Sequence, residues 1–198
     1  MTKILNTLNN GDLIDMLQNG GVGVLPTDTV YGVVCRAADE KAVARLYALK
    51  NRENKPGTVI AASIQQLIDL GIKARYLKAI EQFWINGLSI EIPHSVSYLN
   101  QDTGRQAFRI VNAPKELFGL LRIVGPLLTS SANRPGEKPA GNIAEAQKYF
   151  NDQVDFYVDG GDLSGRKPST LIRIVDDAVE VLRPGAVTID ETTGRIIN

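Results

Sequence analysis

Apolar runs of strand length alternate with amphipathic helical segments along most of this chain, and that alternation restricts it to a layered fold in which helices cover a sheet. A helix is expected around residues 13–18, leading through Gly20 and Gly21 into a buried strand at 22–25 that stops at Pro26. Asp39 is a candidate N-cap for a helix that sets Ala42, Leu46 and Leu49 on one face and runs out in KNRENKPG. TVIAA (58–62) reads as a strand. Ser63 with Gln66 makes a capping box for a short helix closed at Gly71, and a further helix is expected over 75–84. Strand-like runs follow at 88–92, 96–99 and 107–111. A helix then begins near Pro114, a strand runs into Thr129, and Asn142 with Glu145 caps another helix. The remainder reads as strand and turn, in VDFYV, TLIRIV and VEVLRPGAV, with Asp176 and Asp177 as a hairpin turn. Helices between strands, interrupted by strand-only stretches, predict a three-layer α/β fold on a twisted, mixed parallel and antiparallel sheet.

Such a fold must be held by its apolar core. The 198 residues include one cysteine, Cys35, and one histidine, His94, which excludes an internal disulfide and a Cys/His zinc cage. A chain of this length buries roughly 70% of the surface its unfolded form exposes, so it needs neither staple. No internal repeat, low-complexity tract or long Pro/Gly/Ser linker divides it, which points to a single domain over residues 1–198. The segment MTKILNTLNNGD lacks a signal-peptide core, and no stretch approaches the roughly 20 apolar residues of a membrane span, so a soluble, cytoplasmic protein with no membrane partner is expected. Lys and Arg total 22 against 22 Asp and Glu, so any anion site must be local rather than a property of the whole surface.

Chemistry concentrates in polar stretches that follow the expected elements: PTDTVYG (26–32), KNRENK (50–55), TSSANRPG (129–136), KPST (167–170) and LRPG (182–185). Singly, each has an ordinary explanation. PTDT suits a turn; Lys50 and Arg52 would complement a helix C-terminus; Ser130, Ser131 and Asn133 would serve as caps; Arg183 before Pro184 would be a surface residue. Together they share a character, with cations for phosphate, small hydroxyls and an amide for polar contacts, and no evident acid/base pair. Lys50, Arg52, Lys55, Arg109 and Arg183 suit a polyanionic ligand such as a nucleotide. Other motifs fail. GGDLSGRKPST has Arg166 where a phosphate-loop lysine belongs and Pro168 where a helix should start. GGVGVL lacks the third glycine of a dinucleotide fingerprint, and no GxSxG elbow exists. His94, after Pro93 and without a paired nucleophile, reads as an exposed loop residue, and Asp152 and Asp155 read as solvated acids too isolated for a metal cage.

In order and spacing, PTDTVYG, LKNR with Lys55, TSSAN, PST and LRPG resemble the YrdC family of threonylcarbamoyl-AMP synthases over about residues 20–187. The resemblance implies an enzyme that converts L-threonine, bicarbonate and ATP, with Mg²⁺ assisting, into threonylcarbamoyl-AMP and pyrophosphate for the threonylcarbamoyl-adenosine modification of tRNA. It implies that Thr29, Arg109, Ser131 and Ser169 hold threonine, and that Lys50, Arg52, Lys55, Thr129, Asn133 and Arg183 surround ATP. Lys50 and Arg52 are the catalytic candidates, no metal ligand is assigned to a protein side chain, and the expected partners are the downstream transferase proteins that place the group on tRNA.

The chain also departs from that family's pattern. Where a WPGPxT stretch is usual, Trp84 is followed by Ile85, Asn86, Gly87, Leu88 and Ser89; Glu53 stands where Pro usually follows KxR; and TSSAN continues as Arg134, Pro135, Gly136. Because the sequence ends soon after LRPG, the additional C-terminal domain of longer relatives is not expected. Two other readings compete: a divergent paralogue with another adenylylation or carbamoylation substrate, and a module that binds tRNA or double-stranded RNA weakly through a basic concave surface.

Overall fold

The computed structural model describes residues 2–176, 178–190 and 192–197. In chain order they form β1 (Lys3–Leu5), α1 (Gly11–Gln18), β2 (Gly23–Pro26), β3 (Tyr31–Arg36), α2 (Glu40–Leu49), β4 (Thr58–Ala61), α3 (Ile64–Asp69), α4 (Ala74–Ala79), β5 (Leu88–Pro93), α5 (Ser97–Asn100), β6 (Arg105–Ile110), α6 (Lys115–Val124), β7 (Leu127–Ser131), α7 (Ile143–Phe150), β8 (Phe156–Val158), β9 (Thr170–Val175), β10 (Ala178–Arg183), β11 (Thr188–Asp190) and β12 (Arg195–Ile197). Ten strands make one mixed sheet in the order β1-β8-β2-β3-β7-β4-β6-β5-β9-β10, and β11 pairs with β12 apart from it. The β1/β8, β2/β8, β4/β6 and β5/β9 pairs are parallel. Antiparallel pairs join β3 to β7 and β4 to β7 at the sheet's centre. No helix among the described residues is long and apolar enough to cross a membrane.

Strand alternation builds the three expected layers. On β3, Val33 and Cys35 join a core that includes Leu46 of α2, Leu99 of α5 and Phe150 of α7. Val34 points the other way, into a second core with Leu13 and Leu17 of α1 and Leu117 and Leu121 of α6. The caps of α2 and α7 are those the sequence signals. Asp39 accepts from the Ala42 amide at 3.0 Å and Asn142 from the Glu145 amide at 3.0 Å, while Glu145 returns a bond to the Gly141 amide at 2.8 Å. At α3, Ser63 accepts from the Gln66 amide, but the Gln66 side chain takes the Ala62 amide instead of completing the box on Ser63.

The structure corrects several expectations. The run Val96 to Leu99, expected as a strand, instead supplies the N-cap (Val96) and first residues of the single-turn helix α5, because an apolar run this short carries no period and its packing against α2 decides. The helix expected over 75–84 stops at Ala79 and resumes only as a 3₁₀ turn, Glu81–Phe83; the Trp84 indole N–H donates to the Leu77 carbonyl at 3.1 Å, a carbonyl that a continuous helix would have used. His94 is buried, 8% exposed, edge-on to Phe108, and accepts from the Val96 amide at Nδ1. Asp155 is not simply solvated. It pairs with Arg45 at 2.6 Å and accepts from the Val22 amide, and these bonds hold its carboxyl below the usual range against the opposing effect of burial. Four strands, β1, β3, β11 and β12, lie outside the runs expected as strand, and the YG of PTDTVYG opens β3. Asp176 turns the β9–β10 hairpin with φ of 49°; Asp177 lies outside the described residues.

Candidate functional site

The β2–β3 turn starts the site. The Thr27 amide and hydroxyl both donate to the Val30 carbonyl, at 3.2 and 2.7 Å, and the Thr29 amide donates to the Thr27 hydroxyl at 3.2 Å. These bonds close PTDT into a turn that presents Thr29 to a cavity. Gly32 follows on β3, where a Cβ would collide with the Thr129 hydroxyl, so a side chain there would fill the space between β3 and β7.

Asp28, between the two threonines, faces Arg109 of β6. Arg109 Nη2 donates to Asp28 Oδ1 at 2.8 Å, and the side chains are 3% and 2% exposed. The other Asp28 oxygen accepts from the Gly87 amide at 3.3 Å. Arg109 Nη1 donates to Ser89 at 3.0 Å, the Ser89 hydroxyl to Ser169 at 2.9 Å, and Arg183 donates to the Ser169 carbonyl and hydroxyl at 2.8 and 3.1 Å. One network, buried except at Arg183, therefore ties the β2–β3 turn to β5, β6, the residue before β9, and β10. Ser89 stands where the WPGPxT pattern has its threonine, so the altered segment keeps a hydroxyl at the point that touches the network.

The second half of the site is cationic. Lys50 caps α2, yet its Nζ leaves that helix and donates to the Ser131 carbonyl at 2.8 Å, to Asn133 Oδ1 at 2.9 Å and to the Asn133 carbonyl. Complementing its own helix dipole is therefore not its role. Arg52 Nη1 donates to the Ser130 hydroxyl at 2.7 Å. Burial and then the neighbouring Arg52 charge push the Lys50 ammonium down to about 8. Burial also lowers Arg52, and it lowers Arg183 together with repulsion from Arg109 and Arg52. Among the described residues, Arg109 alone of these cations has a carboxylate partner; Lys50, Arg52, Lys55 and Arg183 enter no ion pair. A buried ammonium beside a half-buried guanidinium, with Lys55 and Arg183 exposed at the rim and, among the described residues, no carboxylate paired to any of the four, gives the cleft a local positive charge suited to an anion.

Two adjoining cavities receive these groups. An inner one of about 220 Å³ is lined by Thr29, Arg52, Arg109, Thr129, Ser131, Ser169 and Arg183 among others. An outer one of about 390 Å³ is lined by Lys50, Arg52, Glu53, Lys55, Ser131 and Asn133. Arg52 and Ser131 belong to both. All ten residues singled out from the sequence line one cavity or the other. Thr129 and Arg183, expected around ATP, line the inner cavity beside the residues expected around threonine. Sequence reasoning missed Asp28, Ser89 and Ser130, although Asp28 and Ser130 lie inside the quoted PTDT and TSSAN motifs.

Fold and site thus define an α/β protein whose cleft is lined by cations and small hydroxyls. The Sua5/YciO/YrdC family model, described as "Telomere recombination", matches residues 15–185. The chain is 32% identical over 175 residues to the threonylcarbamoyl-AMP synthase of Stutzerimonas stutzeri, covering 85% of this chain and 93% of that one. Its fold matches a doubly substituted P. abyssi Sua5 with a TM-score of 0.84 at 25% identity, covering 99% of this chain and 65% of that one. It also matches P. abyssi Sua5 complexed with L-threonine, with a TM-score of 0.82 at 24% identity over 96% of this chain and 60% of that one. The protein belongs to the Sua5/YciO/YrdC family.

Proposed function

We propose that this protein is a threonylcarbamoyl-AMP synthase, joining L-threonine, bicarbonate and ATP into threonylcarbamoyl-AMP with release of pyrophosphate. The observation that carries the reading is the pair of cavities sharing Arg52 and Ser131, surrounded by cations that lack counter-charges. The similarity to enzymes named for this activity and to a Sua5 complexed with L-threonine supports it.

Threonine would occupy the inner cavity, with its carboxylate toward the guanidinium groups of Arg109 and Arg183 and its polar groups on Thr29, Ser131 and Ser169. The ATP phosphates would lie along Lys50, Arg52 and Lys55, near Thr129 and Asn133, with Mg²⁺ entering as their counter-ion. The threonine amine, as the free base, attacks the carbon of carbon dioxide formed when bicarbonate loses hydroxide; the N–C bond forms, the amine gives up a proton that joins the hydroxide as water, and a carbamate results. A carbamate oxygen then attacks the α-phosphorus, a P–O bond forms to the carbamate, the bond to the β-phosphate bridging oxygen breaks, and pyrophosphate leaves with that electron pair. Gathering several anions is the main cost of such a reaction, and fixed cations lower it without a covalent intermediate. No protein general base is assigned: Asp28 is committed to Arg109 and Gly87. The product would pass to the proteins that transfer the group to tRNA.

Pyrophosphate release by the purified protein, measured with and without bicarbonate and with threonine against serine, tests this. Release requiring both bicarbonate and threonine is expected. ATP binding without any dependence on threonine would instead favour a paralogue with another substrate, and RNA binding that falls steeply with salt and ignores ATP would favour the RNA-binding reading.

A further inference from the structure

After α2 the chain reverses through Asn51 and Asn54, both at positive φ (46° and 53°), and does not rejoin regular structure until β4. The Arg52 amide still bonds back to the Tyr47 carbonyl at 3.1 Å, but among the described residues no backbone–backbone hydrogen bond is made by residues 53–57 outside the strand ladder. Side chains hold this segment instead. The Gly57 amide donates to the Tyr47 hydroxyl at 3.2 Å, and Gln106 Nε2 donates to the Gly57 carbonyl at 3.1 Å. Arg52 Nε donates to the Lys55 carbonyl at 2.7 Å. The middle of the loop is held by Gln101. Its Nε2 donates to the Arg52 carbonyl at 2.6 Å and its Oε1 accepts from the Lys55 amide at 3.0 Å.

Gln101 is the C-cap of α5 and has φ of 50°. Its own anchorage is firm. Tyr47 donates to the Leu99 carbonyl at 2.5 Å, Asn100 donates to the His94 carbonyl at 2.9 Å, and Thr103 donates to the Asn100 carbonyl at 2.6 Å. An amide spanning the two residues that flank Glu53 and Asn54 fixes the loop's path as a backbone neighbour would, where this sequence lacks the stiffening of a proline after Arg52.

We propose that Gln101 is a positioning residue for nucleotide, clamping the 52–55 loop so that Arg52 and Lys55 meet the phosphates with their backbone already ordered. This rests on the proposed placement of ATP in the outer cavity. Gln101 touches neither substrate in that arrangement; it acts through the Arg52 carbonyl and the Lys55 amide. Removing it leaves the cations present but obliges binding to order the loop, which lowers ATP affinity and spares threonine affinity.

The test compares wild type with Gln101→Gly, which tolerates φ of 50° without strain, and with Gln101→Ala. Hydrogen exchange at the Lys55 and Gly57 amides is read alongside calorimetric Kd values for ATP and for L-threonine. The clamp predicts faster exchange at Lys55 with Gly57 unchanged, an ATP Kd raised about tenfold in both variants, and a threonine Kd within about twofold of wild type. Unchanged Lys55 exchange, an unchanged ATP Kd, or equal losses for ATP and threonine would overturn it. If wild type binds ATP but releases no threonine-dependent pyrophosphate, the proposed activity fails alone, and Lys55 exchange with the ATP Kd still decides the clamp.

Discussion

Nucleotide binding should take up a proton through Lys50. Lys50 is 4% exposed, its ammonium is bonded to neutral oxygens and close to Arg52, and burial and then that charge push its pKa down to about 8. Polyphosphate beside it supplies the missing counter-charge and returns the pKa toward its ordinary value of about 10.4. At pH 8 the empty site is about half protonated and the occupied site almost fully so, giving an uptake of about half a proton per ATP, falling to about a tenth at pH 7. The sign follows from linkage: the complex holds more protons, so affinity is greatest below pH 8, and the ATP Kd rises about tenfold per pH unit between about 8 and 10. Titration calorimetry at pH 8 in two buffers of different ionisation enthalpy measures the uptake directly. Lys50→Arg, which keeps the charge but cannot shed it in this range, should bind without that uptake. An uptake of zero in wild type, or an undiminished one in Lys50→Arg, would refute the account of Lys50 as a desolvated cation neutralised by its ligand. The same shift affects folding. The unfolded chain holds the Lys50 proton up to about pH 10 and the folded chain only to about pH 8, so stability from this residue increases as pH rises through that window.

The other predictions concern single side chains. Arg52→Ala should reduce threonine-dependent pyrophosphate release by about 10²- to 10³-fold while leaving the circular dichroism spectrum and melting cooperativity intact; turnover at the wild-type rate would remove its role. Asp28→Asn leaves Arg109 buried without a counter-charge and should lower the unfolding free energy by about 3–5 kcal/mol in urea titrations, whereas a loss under about 1 kcal/mol would mean the pair is not the structural tie described. Glu53 lines the outer cavity and enters no ion pair among the described residues, so Glu53→Gln should tighten ATP binding by up to about fivefold at low ionic strength, an effect that fades near 1 M salt.

Much of the scaffold was legible because it is local chemistry. Asp39 and Asn142 cap the helices they signal, Pro26 is the last residue of β2, and the apolar run at 88–92 forms β5, since each draws on neighbours in sequence. The cationic and hydroxyl character of the cleft was likewise readable, because Lys50, Arg52, Arg109, Ser169 and Arg183 recur in order along segments that a sheet would gather, Arg109 and Arg183 on strands and the others beside element ends. Contacts between distant segments were not readable. Whether the run at 96–99 is strand or helix is decided by packing against α2, and whether His94 is exposed by its place beside Phe108. The pairing of Asp28 with Arg109 spans 81 positions and the Gln101 clamp on Arg52 spans 49. Sequence determined which groups this protein brings to its cleft. Only the tertiary structure decided which charges are neutralised there and which stay unpaired, because desolvation and Coulomb attraction act on distances in space, which chain order does not specify.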